Sequence, residues 1–169
     1  MPDPILEAVS FTAARDLDDP GREVVVNVLV QVPWAQRYIT GAAIGGDAFI
    51  GRWLRENRPH AEHVVVVPAD RSRVDYWWDA SDPYVTVFDM PEHLGTYADR
   101  NAQLVMCATA VWGLPAYPED DPRSRRSGTW QTIRMARRAG NLARWDCVKP
   151  PFRGLIEKWP SEFPGITRT

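Results

Sequence analysis

Four consecutive valines, Val64–Val67, are the feature that most restricts how this chain can fold. β-Branched side chains favour strands, and a run without polar residues cannot keep one of its faces in water. Pro68 and Asp70 then end the run. We therefore predict a strand over residues 63–70 that is buried on both faces, which is typical of parallel sheets covered by helices on each side.

Other short apolar runs alternate with segments of helical period along the rest of the chain. The predicted strands cover residues 5–12, 37–41, 63–70, 84–91 (a strand or an extended loop), 109–115 and 144–151. The predicted helices cover residues 20–32, 47–57, 96–108 and a last segment that ends at Gly140. Valines at five positions between residues 24 and 30 would suit a strand as well as the first helix. Strands that alternate with helices predict an α/β fold with a mainly parallel central sheet.

The length of 169 residues fits one globular domain. We expect residues 1–150 to form it, and residues 151–169 to be a C-terminal tail packed on it by Phe152, Leu155, Ile156 and Trp159. No apolar run approaches the ~20 residues that span a bilayer, and the first residues lack the pattern of a signal peptide. The sequence therefore predicts a cytoplasmic protein without membrane contact.

The cysteines and histidines show no spacing typical of a metal site. Cys107 and Cys147 form no CxxC pair, and His60, His63 and His93 are scattered. We expect buried thiols, histidines on the surface or in loops, no metal and no cofactor.

Arginines cluster in one part of a chain whose net charge is only -2. Residues 122–144 contain no acid and seven arginines: Arg123, Arg125, Arg126, Arg134, Arg137, Arg138 and Arg144. Within this block, Ser127-Gly128-Thr129 comes directly before a helix. The N–H groups at a helix N-terminus are unsatisfied and attract anions, so this turn can accept a phosphate, with Arg125 and Arg126 beside it. Alternatively, Ser127 or Thr129 only caps the helix, and the later arginines line a solvated face.

A second candidate loop joins the strand at residues 37–41 to the next helix. It contains Gly41, Ala42, Gly45, Gly46 and Asp47, in a spacing that is neither GxGxxG nor that of a P-loop. Glycines there allow a backbone to approach a ligand closely. Asp47 then either binds a ribose or a base, or caps the helix. In a parallel sheet, loops 41–47, 68–72 and 115–129 would all lie at the carboxyl ends of the strands, where ligands bind.

In their order, the segments YITGAAIGGDAFIGRWL, VVVVPAD, YADRNAQLVMCATAVWGLP and SRRSGTWQTIRMARRAG resemble the SLOG superfamily of Rossmann-like nucleotide-binding proteins. The resemblance covers residues 37–140 and is strongest to the YspA-related branch. The same superfamily includes the lonely-guy phosphoribohydrolases and the DNA-processing protein DprA. Ala14-Arg15-Asp16 resembles a degenerate form of the Gly-Ser-Arg loop of the YspA-related branch.

This resemblance implies a Rossmann-like three-layer sandwich with one ligand cleft. The implied ligand-binding residues are Gly41, Ala42, Gly45, Gly46, Asp47, Pro68, Ala69, Asp70, Arg100, Asn101, Arg126, Ser127, Gly128 and Thr129. Phosphoribohydrolases of the superfamily carry a glutamate where this chain has Thr132. Because hydrolysis of a glycosidic bond needs a carboxylate, this difference weakens the enzymatic interpretation.

Three functions follow from these observations. The first is a sensor or sequestering protein that binds a small nucleotide ligand, such as ADP-ribose or an NAD-derived compound. The second is an enzyme that cleaves an N-glycosidic or phosphoribosyl bond, with Arg100 and Asp47 as catalytic candidates and Asp70 or Asp99 as substitutes for Asp47. The third is single-stranded nucleic-acid binding through the arginine block and stacking on Trp77, Trp78 or Trp130. The acidic net charge counts against this third function.

We also expect a homo-oligomer, a dimer or tetramer. The composition of the chain fits a phage or actinobacterial source.

Overall fold

The computed structural model describes residues 6–157, and these form a sheet flanked by helices. The strands are β1 (Leu6–Ala13), β2 (Ala35–Gly41), β3 (Glu62–Val67), β4 (Val85–Asp89), β5 (Ala110–Leu114), β6 (Leu142–Asp146) and β7 (Gly154–Glu157). The α-helices are α1 (Asp19–Leu29), α2 (Gly46–Asn57), α3 (Tyr97–Met106) and α4 (Gly128–Ala139). Two short 3-10 turns cover Glu92–Leu94 and Pro122–Ser124.

The sheet has the order β4-β3-β2-β1-β5-β6-β7, and every pair is parallel except β6 with β7. Helices cover both faces: Leu29 of α1 and Leu54 of α2 share a core with Phe11 and Trp112, whereas Leu104 of α3 packs on the other face with Ile39. The predicted α/β fold with a mainly parallel central sheet is therefore confirmed. The chain runs from β1 to β2 on one side, and later returns to β5 on the other. This reversal opens a crevice at the carboxyl end of β1.

The valine run forms β3 and is covered on both faces, as predicted. Val66 packs with Leu104 beneath α3, and Val65 and Val67 belong to a cluster on the opposite face. On that second face, the connection over residues 68–84 brings Trp77 and Trp78 against Val65 and Val67.

The segment with two predicted alternatives, residues 20–32, is helical. Asp18 caps α1 by accepting the N–H of Gly21 at 2.9 Å, and Pro20 lies in the first turn. Val25 and Leu29 then face the core. The cap and the buried apolar stripe thus outweigh the strand preference of the valines.

The C-terminal part of the sheet differs from the prediction in two ways. β6 covers Leu142–Asp146 instead of residues 144–151, and the antiparallel strand β7 was not predicted. Phe152 and Leu155, two of the side chains expected to pack the tail, are 42% and 50% exposed. Trp159 lies outside the described residues, and the domain boundary at residue 150 stays a prediction.

Two minor predictions are wrong. His63 is buried because its ring packs on Tyr38 and its Nε2 lies 3.0 Å from the Arg58 carbonyl oxygen. Cys107 is only half-buried because it ends α3, whereas Cys147 is buried as expected. Burial lowers the pKa of His63 and raises that of the Cys147 thiol to about 12.

Candidate functional site

A cleft of about 500 Å³ opens at the carboxyl ends of β1 and β5. Its volume lies in the range typical of small-molecule sites. Four parts of the chain line it: residues 12–16 at and after the end of β1, Ala43 and Asp47 before and in α2, the first turns of α3, and residues 126–129 and Gln131 with Ala116. The predicted residues that line it are Asp47, Arg100, Asn101, Arg126, Ser127, Gly128 and Thr129.

One end of the cleft is the N-terminus of α4. Ser127 is the cap of this helix, because its Oγ accepts the N–H of Trp130 at 3.2 Å. The cap occupies the Ser127 hydroxyl and leaves the N–H groups of Gly128 and Thr129 without a partner inside the helix. A Cβ on Gly128 would have one neighbour, Asn101 Nδ2 at 3.7 Å, so this turn is open towards the cleft. Capping and anion binding are thus compatible here.

Asp47 and Arg100 form a buried ion pair in the cleft wall. Arg100 Nη1 donates to Asp47 Oδ2 at 2.8 Å, and the two side chains are 7% and 4% exposed. Asp47 Oδ1 accepts the N–H of Ala13 at 3.2 Å. The alternative that Asp47 caps α2 is wrong, because Gly45 holds the cap position without a side-chain bond. Both carboxylate oxygens of Asp47 are already hydrogen-bonded.

The glycines of loop 41–47 make room for protein atoms. A Cβ on Gly41 would lie 1.8 Å from Arg100 Nη1, and one on Gly46 would lie 2.5 Å from the Ala14 carbonyl oxygen. Gly45 has a φ of 96°, and its Cβ would meet the Arg15 carbonyl oxygen at 2.0 Å. Gly41, Ala42, Gly45 and Gly46 therefore support the cleft from behind and are absent from its lining.

Helix α3 contributes polar side chains that have unused hydrogen-bonding capacity. Thr96 and Asp99 form a capping box that fixes its first turn, from which Tyr97, Arg100 and Asn101 reach the cleft. Tyr97 Oη, Arg100 Nε and Asn101 Oδ1 are buried and have no partner among the described residues. Buried polar atoms without partners are rare in folded proteins, and a bound water or ligand commonly satisfies them.

The charge of the cleft is positive. Arg15 and Arg126 are exposed and lack an acidic partner within residues 6–157. The Arg15 guanidinium lies over the Tyr97 ring, 4.9 Å from its centroid. Asp16 at the rim pairs with Lys149 at 3.2 Å. The cleft therefore has two cationic side chains that no described carboxylate neutralises.

Pro68, Ala69 and Asp70 do not reach this cleft. They follow β3, which is separated from β1 by β2. Asp70 is exposed and accepts the N–H of Ser72 at 2.9 Å, a hydrogen bond that lowers its pKa. The carboxyl ends of the strands share one edge, but only loops near the strand-order reversal converge.

Acids from outside the arginine block neutralise most of it. Arg123 pairs with Asp121, Arg134 with Glu119, Arg137 with Glu119 and Glu157, and Arg144 with Asp146. Arg134, Arg137 and Arg138 lie outside the cleft lining: Arg134 and Arg137 form partly exposed ion pairs with these acids, and Arg138 is exposed, in agreement with the alternative that these arginines line a solvated face. Trp130 is not a stacking surface, because it is fully buried and donates its Nε1–H to the Tyr117 carbonyl at 2.8 Å.

Thr132, at the position of the superfamily's glutamate, is buried outside the cleft, and its hydroxyl donates to the Gly128 carbonyl at 3.0 Å. Gln131 lines the cleft in place of Thr132. The only carboxylates among the described lining residues of the cleft are Asp16 and Asp47. Tyr97 and Arg15 also line the cleft and were not among the predicted ligand-binding residues, although Arg15 belongs to the loop that resembles the Gly-Ser-Arg loop. The Thr96–Asp99 capping signal could have located Tyr97, since it fixes the turn that includes Arg100.

The fold is similar to that of DNA processing protein A (DprA) from Streptococcus pneumoniae, whose X-ray structure gives a TM-score of 0.55 at 16% sequence identity. The match covers 82% of this chain and 49% of the DprA chain, so this chain spans about half of that protein's length. No protein-family model matches the sequence, and no curated protein does. None of the helices over residues 6–157 is long and apolar enough to cross a membrane. The comparison shows a Rossmann-like fold shared with DprA, and the YspA-related branch stays a prediction.

Proposed function

We propose that the cleft binds a small nucleotide-type ligand, a ribose-phosphate compound of the ADP-ribose or NAD-derived class, in a sensor or sequestering protein. The observation that carries this proposal is the set of unpartnered atoms, Tyr97 Oη, Arg100 Nε and Asn101 Oδ1, in a cleft that also contains the N-terminus of α4. These groups offer one acceptor, one donor and one hydroxyl that can do either. Such a mixture suits hydroxyl-rich ligands.

The N-terminus of α4 is the part of the cleft best suited to a phosphate. The N–H groups of Gly128 and Thr129 lack helical partners, and the helix dipole places partial positive charge there. Arg126, one residue before the cap, supplies a full charge. The ribose then extends towards Asn101, whose Nδ2 lies 3.4 Å from the Gly128 carbonyl oxygen and so ties α3 to α4.

Binding is favoured over turnover because both described carboxylates in the cleft, Asp47 and Asp16, are already paired with cationic side chains. Asp47 is fixed by Arg100 and by the N–H of Ala13, and Asp16 is held at the rim by Lys149. A glycosidic-bond hydrolase needs a carboxylate that is free to activate water or stabilise the ribosyl cation. Nothing described in the cleft supplies one in this arrangement, so the enzymatic alternative becomes an outcome of the test.

A thermal-shift screen tests the proposal. The purified protein is mixed with ADP-ribose, NAD, AMP or a short single-stranded oligonucleotide, and each mixture is afterwards analysed by mass spectrometry. A ligand at a hundredfold excess over its Kd adds about 2.7 kcal/mol to the stability of the folded state. Thr129→Arg, which fills the α4 N-terminus, should abolish the shift, whereas Thr86→Arg on the exposed strand β4 should keep it.

The possible results separate the three functions. A nucleotide that stabilises the protein and is recovered intact supports the proposal. A cleaved nucleotide identifies an enzyme despite Thr132. A shift with the oligonucleotide alone, weakened by salt, contradicts the proposal and supports nucleic-acid binding, because neutralised phosphates release counterions.

The expectations about oligomeric state, cellular location and family branch belong to the same proposal. We infer a homo-oligomeric, cytoplasmic member of the YspA-related branch. Gel filtration with light scattering tests the assembly: a mass of two or four chains supports it, and the mass of one chain, 19.2 kDa, contradicts it.

A further inference from the structure

Strand β4 is an edge of the sheet that lacks the usual protection against pairing with another strand. Its one described strand neighbour is β3, and the two pair in continuous register over residues 85–89. Edge strands of soluble proteins are usually shortened, twisted by a bulge, or supplied with lysine or proline, because their exposed N–H and C=O groups pair readily with other strands. Residues 85–89, VTVFD, contain none of these devices. This edge can therefore accept another strand.

The hydrogen bonds between β4 and β3 show which backbone groups of β4 point outward. The Tyr84 C=O and the Met90 N–H both bond to β3, at 2.8 and 2.9 Å. Successive residues of a strand direct their N–H and C=O groups to opposite sides, so the even-numbered residues of β4 face β3. Val85, Val87 and Asp89 therefore direct their N–H and C=O groups to the free edge.

A second copy of β4, running antiparallel about a two-fold axis at Val87, matches these outward groups. The two Val87 residues then face each other and exchange both N–H···O=C bonds. Asp89 of each copy lies opposite Val85 of the other, and its N–H meets the Val85 C=O. The Val85 N–H is already used, because it donates to the Asp82 C=O at 3.0 Å. The hydrogen bonds that β4 makes within the chain thus leave free the groups that self-pairing requires.

The side chains along this edge also suit a second copy. Val87 packs with the cluster on one face of the sheet, and Phe88, which is 40% exposed, lies on the opposite face with Thr86. In the antiparallel pair Thr86 meets Phe88, and contacts between aromatic and β-branched residues are favourable across strands. Asp89, the charged residue of the strand, pairs with Arg71 of the same chain. Two copies therefore meet without repulsion between unpaired like charges.

Resting on the homo-oligomer inferred under the proposed function, we propose that two copies of this chain associate through their β4 strands, antiparallel about a two-fold axis at Val87. The two sheets then join into one continuous sheet across the axis. A second copy carries the matching pattern on the same residues, whereas a foreign strand would have to supply it separately. The interface lies at the β4 edge, away from the cleft at the ends of β1 and β5.

Cysteine cross-linking tests the position of the axis. In Val87→Cys the two introduced residues would have Cα atoms about 5.5 Å apart, a separation that suits a disulfide. In Thr86→Cys, the matched control, the two copies would be diagonal neighbours about 7–8 Å apart, which is too far. Both variants also carry Cys107→Ser, because Cys107 is half-buried. Under mild oxidation we expect a covalent dimer as the main product of Val87→Cys and little from Thr86→Cys.

Proline substitution tests the hydrogen bonds of the free edge. Val87→Pro removes an N–H that points outward, and edge strands tolerate proline at such a position. Circular dichroism should therefore match the wild type, whereas light scattering should show half the wild-type mass. Val87→Thr keeps the N–H and the β-branched shape, so it should keep the wild-type mass. The nucleotide-induced thermal shift should be the same in both variants as in the wild type, because the cleft lies elsewhere.

The results distinguish this interface from the oligomer on which it rests. A wild-type mass of one chain, 19.2 kDa, overturns both. A wild-type oligomer in which Val87→Cys forms no covalent dimer, or in which Thr86→Cys forms as much, overturns the β4 interface while the oligomer stands. A folded Val87→Pro with the wild-type mass overturns the interface as well. The cross-linking result decides if Val87→Pro does not fold.

Discussion

Arg100 Nη1 and Asp47 Oδ2 lie 2.8 Å apart and join helices from opposite faces of the sheet. The pair crosses the sheet edge directly over Gly41 at the end of β2, where a Cβ would lie within 2.4 Å of either side chain. It therefore fixes α2, α3 and the wall of the cleft relative to one another.

Removing one member of this pair should be strongly destabilising. Arg100→Met leaves Asp47 as a buried charge without its partner, which typically costs about 3–5 kcal/mol of unfolding free energy. Urea denaturation followed by circular dichroism measures it. The matched control is Arg52→Met, which breaks the exposed pair with Asp75 and should cost less than about 1 kcal/mol. Equal losses of unfolding free energy in Arg100→Met and Arg52→Met would contradict the assignment of Arg100 and Asp47 as a buried ion pair.

Gly41→Ala should destabilise the protein through the same pair. The new methyl group would lie 1.8 Å from Arg100 Nη1, and overpacking of this kind costs about 1–3 kcal/mol. The cost should shrink when Arg100 is also replaced by alanine, because the shorter of the two clashes then disappears and only that with Asp47 Oδ2 at 2.4 Å remains. Gly128→Ala is the control, since its nearest neighbour would be 3.7 Å away. If Gly41→Ala lowered the unfolding free energy as much in the Arg100→Ala background as in the wild type, the strain would not come from contact with Arg100.

Much of the fold could be predicted from local signals, whereas much of the cleft could not. The valine run predicted β3, and the predicted helix over residues 96–108 matches α3, which begins at Tyr97 after the Thr96 cap, because such patterns act within a few residues. The acidic partners of the arginine block lie up to 20 residues away in sequence, so the pair of Arg137 with Glu157 could not be predicted from local pattern. Gly41 was expected to face a ligand, but it faces the Asp47–Arg100 pair, which forms only when residues 53 apart in sequence meet.

Acid should weaken the fold through His63. Burial lowers the pKa of its ring in the folded state, whereas the unfolded chain titrates near 6.5. This contribution to stability is thus complete above about pH 6.5 and is lost as the pH falls through the lower folded pKa. Urea unfolding between pH 7.5 and 5 should show this decline, and His63→Phe should reduce it. An NMR titration of His63 with a midpoint above 6.5 would contradict the account.

The two cysteines should differ in reactivity. Cys147 is fully buried, and burial raises the pKa of its thiol to about 12, so almost no thiolate exists at pH 8. Cys107 is half-buried at the end of α3. We expect iodoacetamide to label Cys107 alone in the native protein and both cysteines in urea, as read by peptide mass spectrometry. Rapid native labelling of Cys147 would show that its surroundings open.

The central claim is that the N-terminus of α4 holds the phosphate of a nucleotide, and one pair of variants tests it most directly. Gly128→Asp and Gly128→Asn add side chains of nearly equal shape at an open position, and the aspartate also suits the helix dipole. Both variants should fold, so calorimetric titration with ADP-ribose isolates the effect of charge. We expect Gly128→Asp to bind about tenfold or more weakly than Gly128→Asn, because a carboxylate near a phosphate costs between about 1 and 4 kcal/mol. Equal affinities in the two variants would contradict phosphate binding at this helix.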